Sequence, residues 1–191
     1  MEKDFTKTRF SLFGAGINSP RGQIPHKQGT LKDVYDWMIS PRLIQLTHEL
    51  RSITDEKKQK EFKATFLPYA TFACTCSYRN ERHVLQPSDF LCTDIDHLRD
   101  IHEVWRVRTL LEKDPYFTTE LMFTSPRGLG VKWVTHIDLD RAPYETWYKC
   151  IVNYFKQAYG IEVDPAPKSI VSACFLCADA NLIINPLIAP F

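Results

Sequence analysis

Nowhere does this chain run through the roughly 18 consecutive apolar residues that a bilayer-spanning helix needs. Its opening, MEKDFTKTRFSLFGAG, lacks the continuous apolar run of an export signal. Both absences lead to the expectation of a soluble, cytoplasmic protein with no membrane partner. Net charge is nearly missing as well: 24 Lys and Arg stand against 23 Asp and Glu, leaving +1. No global field therefore draws the molecule to a polyanion, and any such binding must come from a local cluster. No internal repeat, low-complexity tract or long linker interrupts the chain. Six cysteines without an export signal, diluted through core-forming sequence, read as free and mostly buried thiols. What is present is apolar surface, 44% hydrophobic and 13% aromatic, enough for one domain over residues 1–191 with a sizeable core.

Residues 1–30 are polar and punctuated by Gly14, Gly16, Pro20, Gly22, Pro25 and Gly29, and read as an irregular arm. From Thr30, a cap, the spacing of Leu31, Val34, Tyr35 and Met38 predicts a helix that Pro41 breaks. A second helix carries Leu43, Leu46 and Leu50. The charged segment DEKKQKEFKATF favours a third, with its lysines on a solvated face, and Pro68 ends it. The period then changes: TFACTCSY and DFLCTDID read as strands around the polar turn RNERH. His97 to Lys113 returns to helical spacing, with Leu98, Ile101, Val104, Trp105, Val107 and Leu111 as a core stripe. TTELMFTS and VKWVTHID are strands joined by SPRGLG. Pro143 opens a helix that keeps Trp147, Ile151, Tyr154, Phe155 and Ala158 on one face and stops at Gly160. SACFLCA and NLIIN supply further strands. The pattern predicts an α+β fold, a mostly antiparallel sheet with helices packed on one face, in which an arm and helical region (1–65) precede an α/β core (66–191).

Three sets of residues could carry chemistry. Asp94 and Asp96 stand two apart where a strand meets a helix, so strand alternation points both carboxylates one way. Two such carboxylates repel unless a cation lies between them, and Mg²⁺ or Mn²⁺ suits hard oxygen ligands. The competing reading makes Asp96 the cap of the next helix. The loop Ser125-Pro126-Arg127-Gly128-Leu129-Gly130-Val131-Lys132 could turn backbone amides toward an anion, with Ser125, Arg127 and Lys132 on phosphate oxygens. It reads equally as a hairpin turn with glycines at positive φ. Asp164, in EVDPAP, and Asp179, after CFLCA, are late acids that suit turns as readily as a metal. His136 shares a strand face with Lys132 and Val134. Cys74 and Cys76 (CxC) with Cys174 and Cys177 (CxxC) lie in apolar strand patterns, so no structural zinc is expected. Trp37, Trp105 and Trp147 are core by default, while Trp133 and Tyr78 could stack on bases if exposed.

The order of these features resembles the virulence-associated protein E N-terminal-like family of bacterial, mobile-element or phage-type replication proteins. The resemblance rests on KATFLPYATF, Arg79, TDIDHL, Asp114-Pro115-Tyr116, SPRGLGVK, Tyr154-Phe155, Tyr159-Gly160-Ile161 and CFLCADANLIINP, across roughly residues 10–188. It implies an RRM-like sheet and kinship with primase–polymerases. That kinship implies nucleotidyl transfer on a single-stranded or primed DNA template by two-metal displacement of pyrophosphate, with a nucleoside triphosphate as substrate. Asp94, Asp96 and Asp179, with Asp164 as the alternative third acid, would then be the metal-binding and catalytic acids. Ser125, Arg127, Gly128, Gly130, Lys132 and His136 would hold the nucleotide. A helicase-type ATPase domain or partner would accompany it. The chain departs from that pattern twice: Lys132 replaces a histidine, and Ile170-Val171-Ser172-Ala173 lacks an arginine. Both departures suit the alternative of a non-catalytic module that binds nucleic acid or a replication partner.

Overall fold

The computed structural model describes residues 5–164 and 169–189. Residues 165–167 of EVDPAP lie outside the described residues. In chain order the elements begin with β1 (Phe10–Phe13), β2 (Lys27–Gly29), α1 (Leu31–Met38), α2 (Pro41–Ser52) and α3 (Glu56–Phe66). They continue with β3 (Tyr69–Thr71), β4 (Cys74–Cys76), β5 (Val84–Pro87), β6 (Phe90–Ile95) and α4 (Ile101–Glu112). The chain then forms β7 (Thr119–Thr124), β8 (Val131–His136), α5 (Tyr144–Tyr159), β9 (Cys174–Phe175) and β10 (Ile183–Ile184). The fold is mixed α+β, with antiparallel sheets and five α-helices among the described residues.

Local chemistry sets the helix starts. The Thr30 amide donates to Asp33 Oδ2 at 2.8 Å, and the Thr30 hydroxyl meets the same oxygen at 3.1 Å, closing a capping box at α1. Pro41 is the break expected between helices because it opens α2, where its missing N–H costs nothing. The Ser40 hydroxyl accepts from the Leu43 amide there. At α3 the Asp55 carboxylate accepts from the Lys58 amide at 2.7 Å. Gly160 ends α5 at φ 64, a left-handed position that glycine takes without strain.

Two four-stranded sheets result, in the orders β2-β1-β3-β9 and β10-β7-β8-β6, and β4 pairs with β5 beside them. Since β6 and β7 each run antiparallel to β8, they run parallel to one another on either side of it, with α4 as the crossover. Strand alternation divides the second sheet between two cores. Leu91, Ile95, Met122, Val131 and Trp133 pack against Val104, Val107 and Leu111 of α4 and Ile151 and Phe155 of α5. Phe90, Leu121, Phe123 and Val134 face the other way, onto α1, α2 and Phe10, Leu12 and Ala70 of the first sheet. The expectation of helices on one face is thus corrected: both faces are covered.

The first 30 residues hold more order than their glycines and prolines suggest. All four residues of β1 are buried, and β1 pairs with β2 on one side and β3 on the other. Phe13 stacks on Tyr69 with ring centroids 4.2 Å apart. The α4 stripe is also narrower than predicted. The helix begins at Ile101 under an Asp100 cap, so Asp96 caps nothing, and Ile101 and Trp105 are exposed. Arg108 occupies the stripe instead and is buried. On α5 the buried face is Tyr144, Tyr148, Ile151 and Phe155, and Ala158 is exposed.

Candidate functional site

The register of β6 against β8 sets Asp94 directly opposite Lys132. Both side chains point to the face shared with Phe90, Cys92 and Val134. The Lys132 ammonium donates to Asp94 Oδ2 in an ion pair whose side chains are only 10% and 17% exposed. The other oxygen, Asp94 Oδ1, is buried and has no hydrogen-bond partner. A narrow cleft of about 20 Å³, room for about one water, opens at this pair, lined further by Cys92, Tyr144, Ser172 and Cys174. The Asp164 amide donates to the Asp94 carbonyl at 2.9 Å, fixing the backbone at its floor.

A second lysine reaches the same region from α3. Lys63 lies 5.2 Å from the Phe175 ring centroid, and among the described residues it forms no ion pair. Burial holds its ammonium below the ordinary lysine range, and the positive charges of Lys132 and Arg127 push it further down, against a weaker pull from Asp96. Lys63 departs from the solvated face expected of this segment's lysines, being half-buried. The missed signal is position: Lys63 lies on the last turn of α3, beside Phe62 and Phe66, where Pro68 turns the chain into the sheet.

The glycine loop is the hairpin between β7 and β8. Its amides at Ser125 and Gly128 donate within the loop, to the carbonyls of Gly130 and Ser125, and its carbonyls at Ser125 and Pro126 accept from Arg51. Gly128 has φ 92, as a tight turn requires, whereas Gly130 serves close packing. A Cβ at Gly130 would sit 2.7 Å from both Asp96 Oδ1 and the Ile95 carbonyl. Arg127 is paired with Glu56 at 3.1 Å.

Asp94, Asp96 and Asp179 line three different clefts, while Asp96 and Asp164 share one. β6 ends at Ile95, and His97 takes a left-handed φ of 60, so alternation does not carry to Asp96. Asp96 lines a separate cleft with His97, Glu103 and Asp164. Asp179 is bound by Arg108 Nη1 at 2.7 Å and by the Thr124 amide at 2.7 Å. Burial alone would raise the Asp179 carboxyl, but the amides of Thr124 and Asn181 and the Arg108 guanidinium hold it below its ordinary value. Among the described residues no three His, Cys, Asp or Glu side chains form a metal-holding group. His136 does share the Lys132 face, but it pairs with Phe90 at the far end of β8, about 13 Å along the strand. Trp133 is buried, its indole donating to Thr119 at 2.8 Å, and is closed to base stacking.

The donor set does not suit a pair of divalent cations. Such a centre needs carboxylates free to converge. Here one aspartate already has an ammonium counter-charge, a second lines another cleft, and the third is locked on a guanidinium.

Among the described residues no helix is long and apolar enough to cross a membrane. No curated protein and no solved structure matches the chain. One family model does match, over residues 61–183, and it describes the BT4734-like N-terminal domain. That is a different family from the virulence-associated protein E N-terminal one expected from the motifs, and nothing supports the primase–polymerase kinship or replication role that came with the expectation. The matched stretch contains α4, α5 and every strand from β3 to β9. The chain belongs to the BT4734-like N-terminal domain family.

Proposed function

We propose that this domain binds a phosphate-bearing ligand, a nucleoside triphosphate or the backbone of a single nucleic-acid strand, at the mouth of the Asp94–Lys132 cleft. The observation that carries the reading is the pairing of two half-buried lysines with too little negative charge between them. Lys132 has Asp94, whereas Lys63 faces Lys132 and Arg127 and has no ion pair among the described residues. Like charges held together in a partly desolvated place raise the free energy of the empty site, and an anion bridging them lowers it. Asp94 then acts as the internal counter-ion that keeps Lys132 extended toward the cleft. The reading assigns a binding role and routes no step through a divalent cation.

Calorimetry with ATP and fluorescence anisotropy with a labelled single-stranded oligonucleotide test it, each run in EDTA and again with Mg²⁺ or Mn²⁺. The wild-type chain should bind at least one of the two without metal. Lys63→Gln should weaken that binding at least about tenfold, roughly 1.4 kcal/mol, with unchanged thermal stability. Absence of binding in both arms, or an unaffected Lys63→Gln, rejects the proposal. Which arm responds distinguishes nucleotide from strand.

A further inference from the structure

We propose that Cys92 and Cys174 form an oxidisable dithiol, which hydrogen peroxide converts to a disulfide tying the two four-stranded sheets together across the cleft. Cys92 lies on β6 in the second sheet and Cys174 on β9 at the edge of the first, and no backbone ladder joins those strands. Both thiols line the narrow Asp94–Lys132 cleft from opposite sheets, near enough that each shifts the other's titration. A pair so placed needs little chain movement to cross-link.

The surroundings divide the labour. The neighbouring Cys92 thiol favours the Cys174 thiolate, the Lys132 and Lys63 ammonium groups add to it, and burial and Asp96 oppose it. The Cys92 thiol is raised by the Cys174 sulfur and by burial. Cys174 is therefore the attacking sulfur. Its thiolate takes one peroxide oxygen, the O–O bond breaks, and the departing hydroxide leaves as water after protonation. The Cys92 sulfur then attacks the resulting sulfenic acid, the S–S bond forms, and the sulfenic oxygen departs with the Cys92 proton as a second water. Two thiols are oxidised and one peroxide reduced.

Cys74 and Cys76, two apart on β4, likewise shift each other's titration and are the natural competitors. The test treats the folded whole chain with one equivalent of peroxide, blocks remaining thiols with N-ethylmaleimide, and reads intact mass and a non-reducing peptide map. Of six free thiols, four should remain blockable, the protein mass before blocking should fall by about 2 Da, and the map should show Cys92 joined to Cys174. Cys174→Ser should abolish the bridge, and Cys150→Ser should keep it. The wild-type map decides even where a serine variant folds poorly. Six blockable thiols, a Cys74–Cys76 bridge alone, or a gain of about 32 Da from sulfinic acid overturns the assignment.

Discussion

Two buried ion pairs hang on the second sheet, and they differ in how completely their oxygens are engaged. At Arg108–Asp179, the aspartate receives a guanidinium N–H and the amides of Thr124 and Asn181, and Arg108 also donates to Thr124 Oγ1 and the Asn181 carbonyl. The Trp105 ring lies 5.3 Å from the guanidinium carbon, which gives that exposed tryptophan a task outside the core. Only Arg108 Nε is left without a partner. At Lys132–Asp94 one carboxylate oxygen is buried without a partner, a narrow cleft lies at the pair, and a second lysine stands nearby. The first arrangement fastens α4 to the chain after β9. The second retains unsatisfied capacity, which in a native structure calls for an explanation such as a ligand.

Substitutions should separate the two. Arg108→Met leaves the Asp179 carboxylate buried without its cation, and the expected loss is the largest here, about 3–5 kcal/mol, read by urea unfolding. A loss below about 1 kcal/mol would show that the pair is solvated and would erase the contrast. Lys132→Met should cost less, about 2 kcal/mol, because Asp94 can turn to water in the cleft, and it should also abolish ligand binding. Adding Asp94→Asn should recover part of that stability without recovering binding.

Glu120 sharpens the comparison with the smallest effect. It is a buried carboxylate that among the described residues has no cation and receives the Asn185 side-chain amide at 2.9 Å. Burial raises its carboxyl above the ordinary value of 4.5, and the Asn185 hydrogen bond offsets this only in part. A raised carboxyl binds its proton more tightly when folded. Its contribution to stability is therefore full below the unfolded value and is lost as pH rises through the folded one. Glu120→Gln should remove that decline, so the variant should gain on the wild type as pH rises above 4.5. Identical pH profiles would show that Glu120 titrates normally.

Much of the fold could be read from the chain because its signals are local. Thr30, Pro41, Pro143 and Gly160 mark helix ends through their own backbone chemistry, and the β7–β8 hairpin follows from two strand patterns around SPRGLG. What escaped depends on long-range pairing. The strand FSLF is too short to stand out until β3 and β2 flank it, and the exposure of Ile101 and Trp105 follows from where α4 sits. The site was half legible. Lys132 and Asp94 were chosen individually, but nothing in the spacing gives the register that makes them an ion pair. Strand alternation does not reach Asp96, because β6 ends at Ile95. Arg108 had a usable signal: a cation at i+4 from Val104 and i+1 from Val107 within an apolar stripe demands a buried partner. The family expectation failed because short motifs such as DxD recur across unrelated chains.

Residues 61–183, the stretch the family model recognises, do not coincide with the hydrogen-bonded unit. β3 takes one of its two partners from residues 11–13, outside that stretch. Excised at those bounds, β3 would present a bare row of amides and carbonyls, and Phe72, Phe90 and Phe123 would lose the cover of α1 and α2. An unprotected edge beside uncovered aromatics is a template for self-association. A soluble expression unit therefore has to begin ahead of Phe10.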